Sequence, residues 1–207
     1  FSLNNAVDNL YKNEFDIYRK EKKSHPIMIK NNLECIPYEN ENLSTWRNAF
    51  KGIQWRDEKT NFLFFGGIDD IWINKEDELH IVDYKATAKK TFKPNFDTGW
   101  EVCYKRQLEI YQWLFKKNGF KVSDIGYIIY ANGKSDERDF GGNLKFEEHL
   151  FPLVCNTDWI DKIIQEIYEC LNSDNLPKSG GVWNGEGCEQ CSYKKKLFNI
   201  FKSHTQK

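Results

Sequence analysis

Asp83 and Lys85 stand two positions apart in HIVDYKATAKK (80–90), within a run that otherwise reads as a buried strand. Successive strand side chains point to opposite faces, so the aspartate and the lysine share one side, with Leu79 and Ile81 behind them. In the preceding run, NFLFFGGIDDIWIN (61–74), Asp69 shares a face with Ile71 and Ile73. A turn over residues 74–77 folds the two runs into a hairpin and brings Asp69 near Asp83. Two carboxylates and an ammonium group then meet at one point of the sheet. A lone buried carboxylate is destabilised or becomes protonated. Two close together repel, which raises one pKa. A divalent cation removes both problems. Hard oxygen ligands at one point suit Mg²⁺ or Mn²⁺, with water and phosphate oxygens in the remaining positions. The lysine then faces a phosphate oxygen or the attacking water, and the set reads as a phosphodiesterase site.

The elements that must hold these residues follow from periodicity. Strands are expected over GIQWRD (52–57), the 61–74 run and ELHIVDYKAT (78–87). Gly66 and Gly67, inside the second run, mark a bulge or a close backbone approach to a ligand. A helix over 100–119 places Gln107 and Tyr111 on one face, four residues apart, with Gly119 as its stop. Lys105 and Arg106, just before Gln107, are placed to meet a phosphate backbone. Residues 3–20 read as a helix with Val7, Leu10, Tyr11, Glu14 and Tyr18 on one face, Glu14 being the odd acid on that stripe. Residues 24–45 read as irregular, and 42–50 contain a short helix capped at Asn42 or Ser44. Strands over 124–133 and 142–151, a helix over 158–171 and a loop-like tail complete the chain. Helix, three strands, helix, strand, strand, helix implies an α/β (α+β mixed) fold, a mixed sheet with helices on both faces. The expected organisation is one domain over 1–207, with a core about 53–150, an N-terminal helical part over 1–52 and a C-terminal helix and CxxC tail over 156–207.

Composition sets limits. With 40% apolar and 29% charged residues the chain is of the soluble globular class, not the disordered one. A net charge of −1 gives no general support for nucleic-acid binding. Two basic clusters, Lys85/Lys89/Lys90/Lys93 and Lys194–Lys196, each read alone as solvated faces. No apolar run reaches membrane-helix length. Seven tryptophans and ten tyrosines are read mainly as core, with some left to stack on bases. Six cysteines, only Cys188 and Cys191 close in sequence, point to reduced thiols and a cytoplasmic location. The chain begins at Phe1 without a methionine, so the lack of a visible signal peptide carries no weight.

Taken together, GGIDD (66–70), IVDYKAT (81–87) and QLEIY (107–111) resemble the Gly-x-Ile-Asp, Asp-Tyr-Lys and Gln-x-x-x-Tyr motifs of the PD-(D/E)XK nuclease superfamily, in its RecB-type exonuclease branch. The resemblance covers residues 60–132 well and implies the restriction-endonuclease-like αβββαβ core. It implies hydrolysis of DNA phosphodiesters, with Asp69, Asp83 and the carbonyl of Tyr84 holding Mg²⁺ or Mn²⁺. Lys85 would position the water, and Gln107 and Tyr111 would line the groove. Relatives carry a histidine or glutamate on an earlier helix as a further ligand, for which Glu14 is the candidate and His25 the second choice. Some relatives hold an iron–sulfur cluster through one early and three late cysteines, and GEGCEQCSY (185–193) is similar to the late part. No third cysteine follows Cys191, and Asn13 and Glu14 stand where the early one is expected, so Cys188 and Cys191 are read as plain thiols rather than iron–sulfur or zinc ligands. Single-stranded DNA or DNA ends are the expected partner, a helicase or another nucleic-acid-processing protein the second, and the membrane none. The competing readings are a non-catalytic nucleic-acid-binding module and a protein-interaction domain on the same fold.

Overall fold

The computed structural model describes residues 2–175 and 188–205. In chain order the elements are α1 (Ser2–Glu21), α2 (Pro26–Lys30), β1 (Cys35–Pro37), α3 (Leu43–Trp46), β2 (Ile53–Arg56), β3 (Leu63–Gly66), β4 (Asp70–Asn74), β5 (Leu79–Thr87), α4 (Val102–Lys117), β6 (Ile125–Gly133), β7 (Phe146–Val154), α5 (Asp158–Leu171) and α6 (Glu189–Thr205). Five strands form one sheet in the order β1–β4–β5–β6–β7, and β2 and β3 form a separate two-stranded sheet. Within the large sheet only β5 and β6 run parallel. A parallel pair needs a long crossover, and α4 supplies it. β5 lies between two neighbours, so Leu79–Tyr84 are buried on both faces and the strand loses the alternation of a half-exposed one.

The two faces carry two cores. On one, Tyr11 and Phe15 of α1 pack on Trp72, Val82, Tyr84 and Ile129. On the other, Leu108, Leu114 and Phe115 of α4 and Ile160 and Ile164 of α5 pack on Ile71, Ile81 and Ile128. This is the mixed sheet flanked by helices that the element order implied.

Several elements differ from expectation, each for a physical reason. The 61–74 run is two strands in two sheets. A Cβ on Gly66 would lie 2.5 Å from the Tyr111 ring, and one on Gly67 would lie 3.1 Å from the Ala49 backbone. The glycine pair therefore lets the helix and the 48–49 backbone come close, and the strand breaks there. The close approach is to the protein's own groups. α1 buries Tyr11, Phe15 and Arg19, four residues apart, while Leu10 is 66% exposed. The buried stripe is turned away from Leu10 and Glu14 because charged side chains take part in it. Residues 24–45 contain α2 and β1 rather than irregular chain. β1, three residues paired to β4, is too short to show a period, and Pro37 suits its place at the sheet edge. The tail is helical over α6, while residues 176–187 lie outside the described residues.

Gln112 on α4 is fully buried, and among the described residues neither atom of its amide has a hydrogen-bond partner. Unpaired buried amides cost about 1–3 kcal/mol. Gln112→Met is therefore expected to stabilise the protein by about 1–2 kcal/mol, read as a higher urea midpoint at unchanged m-value. A lower midpoint would mean that the amide is satisfied.

Candidate active site

The register of β4 and β5 pairs Asp70 with Val82. Asp69, one residue earlier, therefore stands opposite Asp83. Its Oδ2 accepts the Tyr84 backbone N–H at 2.9 Å. Asp83 is 1% exposed, and its carboxylate ion-pairs with the Lys85 ammonium from the same face of the strand. The oxygen that Lys85 contacts is Oδ2, which among the described residues has no well-aligned hydrogen-bond donor. Burial pushes the Asp83 carboxyl up to about 7; Lys85 opposes the rise, and the neighbouring Asp69 adds to it. Lys85 Nζ also lies 4.6 Å from the centre of the Tyr104 ring, at the start of α4.

Helix α1 brings two further charges. Lys12 Nζ bridges Asp8 Oδ2 at 2.7 Å and Asp69 Oδ1 at 3.2 Å. Burial and the charge of Asp69 push the Asp8 carboxyl up, against the pull of Lys12. Burial alone would depress the Lys12 ammonium, but Asp69 and Asp8 outweigh it and hold it above its ordinary value. A cleft of about 280 Å³ opens here, lined by Asp8, Asp69, Tyr84, Lys85 and Tyr104 among others.

Gln107 and Tyr111 do not line this cleft, and Tyr111 is the one that feels its aspartates. Gln107 Nε2 donates to the Tyr111 hydroxyl at 2.8 Å. Burial raises the Tyr111 hydroxyl to about 12; the Gln107 hydrogen bond opposes this, and the charges of Asp83 and Asp69 reinforce it. Tyr111 thus stands in the field of the two aspartates.

Glu14 is directed elsewhere. Its carboxylate meets His25 Nε2 at 2.9 Å in a second cleft, which Glu148 and His149 also line. His25 is buried rather than exposed, because its Nδ1 caps α2 and its ring stacks on Phe15 at 4.1 Å. The acid that α1 carries to Asp69 is Asp8. Lys105 is paired with Asp97 at 3.0 Å and, with Arg106, lines a third cleft beside Glu109 and Trp159. Asp8, Lys12 and Tyr104 were not singled out from the sequence. The available signal was the helical spacing of Asp8, Lys12, Phe15 and Arg19, in steps of four, three and four residues along one side of the helix.

Asp70 points to the other face of the sheet and is fully buried. It accepts Arg19 Nη2 at 2.5 Å, Arg47 Nη2 at 3.1 Å and the Tyr84 hydroxyl at 2.7 Å. Arg47 also donates to both Asp16 oxygens and, through Nε, to the Asp69 carbonyl at 2.9 Å. Asp69 is thereby held by its backbone as well as by its side chain.

The donor set fits a hard divalent ion. A buried carboxylate, paired only with a flexible ammonium, stands opposite a second carboxylate, and Mg²⁺ needs only one or two carboxylates beside water and phosphate oxygens. Among the described residues no three His, Cys, Asp or Glu side chains are grouped tightly enough to hold an ion by themselves. Cys188 and Cys191 lie side by side, the Cys191 thiol pushed up first by its hydrogen bond with Cys188. Cys35 is buried in β1 and Cys170 exposed on α5.

A mixed sheet that sets two aspartates and a lysine around one hairpin, next to a parallel crossover, is the framework of a nuclease-type hydrolase. The family model of the PD-(D/E)XK nuclease superfamily matches residues 2–195, and the chain belongs to that superfamily. A search of curated proteins finds no match. Among the described residues, no helix is long and apolar enough to cross a membrane.

Burial of Asp83 has a consequence for the metal-free protein. Its carboxyl titrates near 7 in the fold against 3.8 for the unperturbed group, so between these values the folded state binds more protons than the unfolded one. The contribution of Asp83 to the stability of the metal-free protein therefore falls as pH rises from about 4 to about 7. Asp83→Asn is expected to flatten that slope and raise the melting temperature at neutral pH in EDTA. An unchanged slope in the variant would show that Asp83 is not the group responsible.

Proposed function

We propose that the protein is a divalent-metal-dependent deoxyribonuclease of the RecB-type branch, cleaving phosphodiester bonds from DNA ends in repair, recombination or defence. The observation that carries this reading is the buried Asp83 carboxylate, set opposite Asp69 with the Lys85 ammonium on the same face. A surface hairpin with solvated charges would not bury that group. A non-catalytic module would have no use for the buried Asp83, whose desolvation works against the fold that keeps it.

Asp69, Asp83 and the Tyr84 carbonyl would hold Mg²⁺ or Mn²⁺, with Asp8 as the further acid from α1 that Glu14 was expected to supply. When bound, the ion offsets negative charge on the scissile phosphate and makes a bound water more acidic. Lys85 has the position to orient the attacking water and to balance charge that develops on the phosphate oxygens. Freed from Asp69 by a competing cation, Lys12 would stand at the cleft mouth as a second ammonium for the substrate backbone. The Gln107–Tyr111 pair forms a polar wall on the α4 side, where hydrogen bonds can fix the strand without reading its sequence. The net charge of −1 leaves affinity to this local arrangement.

Linear and circular DNA, single- and double-stranded, should be incubated with the protein in Mg²⁺, Mn²⁺ or EDTA. Cleavage is expected to need the metal, to favour linear substrates and to fall by about 10²–10⁴-fold in Lys85→Ala. Asp83→Ala should abolish it while the circular dichroism spectrum stays native. Equal cleavage by wild type and both variants would refute the assignment. No cleavage by a folded, metal-loaded wild type would favour the binding-module reading.

A further inference from the structure

The loop between β5 and α4 contributes none of the acidic groups, yet it is firmly built. Phe96 is buried, and Phe92 packs edge-on against Tyr130 with ring centres 4.9 Å apart. The buried Glu101 accepts the Asn95 N–H at 2.7 Å and Lys89 Nζ at 3.1 Å. Asn132 of β6 clasps the Lys89 backbone, accepting its N–H at 2.9 Å and donating to its carbonyl at 3.1 Å. A loop pinned at these points holds what it displays in a fixed position.

It displays one large ring and three cations. Trp100 is 54% exposed. Lys89, Lys90 and Lys93 are all exposed, and the acids over 88–101 are Asp97 and the buried Glu101, which pairs with Lys89. Trp100 meets Tyr104, one helical turn on, at 4.9 Å between ring centres and 72° between planes. Tyr104 in turn lies over the Lys85 ammonium. Two ring contacts thus connect a surface tryptophan to the lysine beside Asp83. Lys89 Nζ, 5.9 Å from the Trp100 ring centre, puts a positive charge next to that surface.

Exposed aromatic faces beside lysines match the two needs of an unpaired strand, whose bases stack and whose phosphates seek cations. A duplex hides the faces of all but its terminal bases. We propose that residues 88–101 are a binding site for unpaired DNA: Trp100 stacks on a base next to the phosphate held at Asp83 and Lys85, and Lys90 and Lys93 take flanking phosphates. The location of this site depends on the nuclease reading above; what it adds is the set of residues, Trp100, Lys90 and Lys93, that would take the strand.

The test is fluorescence anisotropy in EDTA, where no cleavage occurs, with a short labelled thymidine oligonucleotide and an abasic strand of equal length. Wild type is expected to bind the base-bearing strand at least about fivefold more tightly. Trp100→Ala should lose that difference, and Trp100→Phe should keep most of it. Lys90→Ala should weaken both strands alike and lower the slope of log affinity against log salt by about 0.7. Equal binding of the two strands by wild type, or a preference that survives in Trp100→Ala, would overturn the proposal. So would tighter binding of a blunt duplex, or of a uridine strand in place of the thymidine one. Should Trp100→Ala fail to fold, the wild-type comparison still decides. Metal-dependent cleavage, measured separately, tests the nuclease reading without reference to Trp100.

Discussion

One buried carboxylate, Asp70, ties the site to the rest of the molecule. It is fully enclosed and shared by Arg19 of α1, Arg47 after α3 and the Tyr84 hydroxyl of β5. Charges buried this deeply are tolerated only when geometry and hydrogen bonds are nearly complete, and loss of one partner leaves the others uncompensated. Three separate pieces of chain are thereby required to meet at the start of β4. Arg47 extends the requirement, since it also holds Asp16 of α1 and the carbonyl of Asp69. The adjacent aspartates divide the work by strand alternation. Asp70 faces inward to the α1 side and anchors, and Asp69 faces Asp83.

That anchoring explains how α1, which packs on one face of the sheet, contributes to a site whose lysine points to the other. The Arg19–Asp70 contact fixes the C-terminal half of the helix. Tyr11 and Phe15 then seat its middle on Tyr84, with ring centres 5.0 and 5.7 Å away. The N-terminal turns overhang the end of β4, where Lys12 and Asp8 reach Asp69. The result is three carboxylates held against two lysines at the rim of a cleft. In such a set each anion is partly neutralised by a flexible ammonium, and Asp69 alone of the three also accepts a hydrogen bond from the strand backbone, the Tyr84 N–H. A divalent ion can therefore displace those partners without breaking the backbone framework.

Much of this was legible in the sequence, and the parts that were not share a cause. The pairing of Asp69 with Asp83 followed from alternation and one turn, both local. The spacing of Gln107 and Tyr111 followed from helical geometry, and α5 matched over 158–171 because its stripe of isoleucines is uninterrupted. The orientation of α1 was hidden because Asp8, Lys12, Asp16 and Arg19 belong to the inward or site-facing side. Apolar periodicity cannot see charges that are buried by partners 50 residues away, as Arg19 is by Asp70. β1 was too short to carry a pattern. α6 was hidden among lysines and cysteines, and its apolar residues give it no strong inward face.

The break between β3 and β4 depended on contacts the sequence could not display, and it also shapes the site. Tyr111 occupies the space that a side chain at residue 66 would need, and the carbonyl of Gly66 lies where a Cβ on Gly52 would be. Gly52 has φ +60°, a conformation glycine adopts without strain. The chain can then cross over itself, sending β2 and β3 to pack Trp55 and Phe64 on Trp113 of α4. Any side chain at residue 66 would run into the ring of Tyr111. The same absence of side chains that ends one strand therefore lets the α4 tyrosine stand beside the aspartates. A motif read as glycine, isoleucine and aspartate is in physical terms a single device: space for a ring from the helix, followed within three residues by an acid facing Asp83.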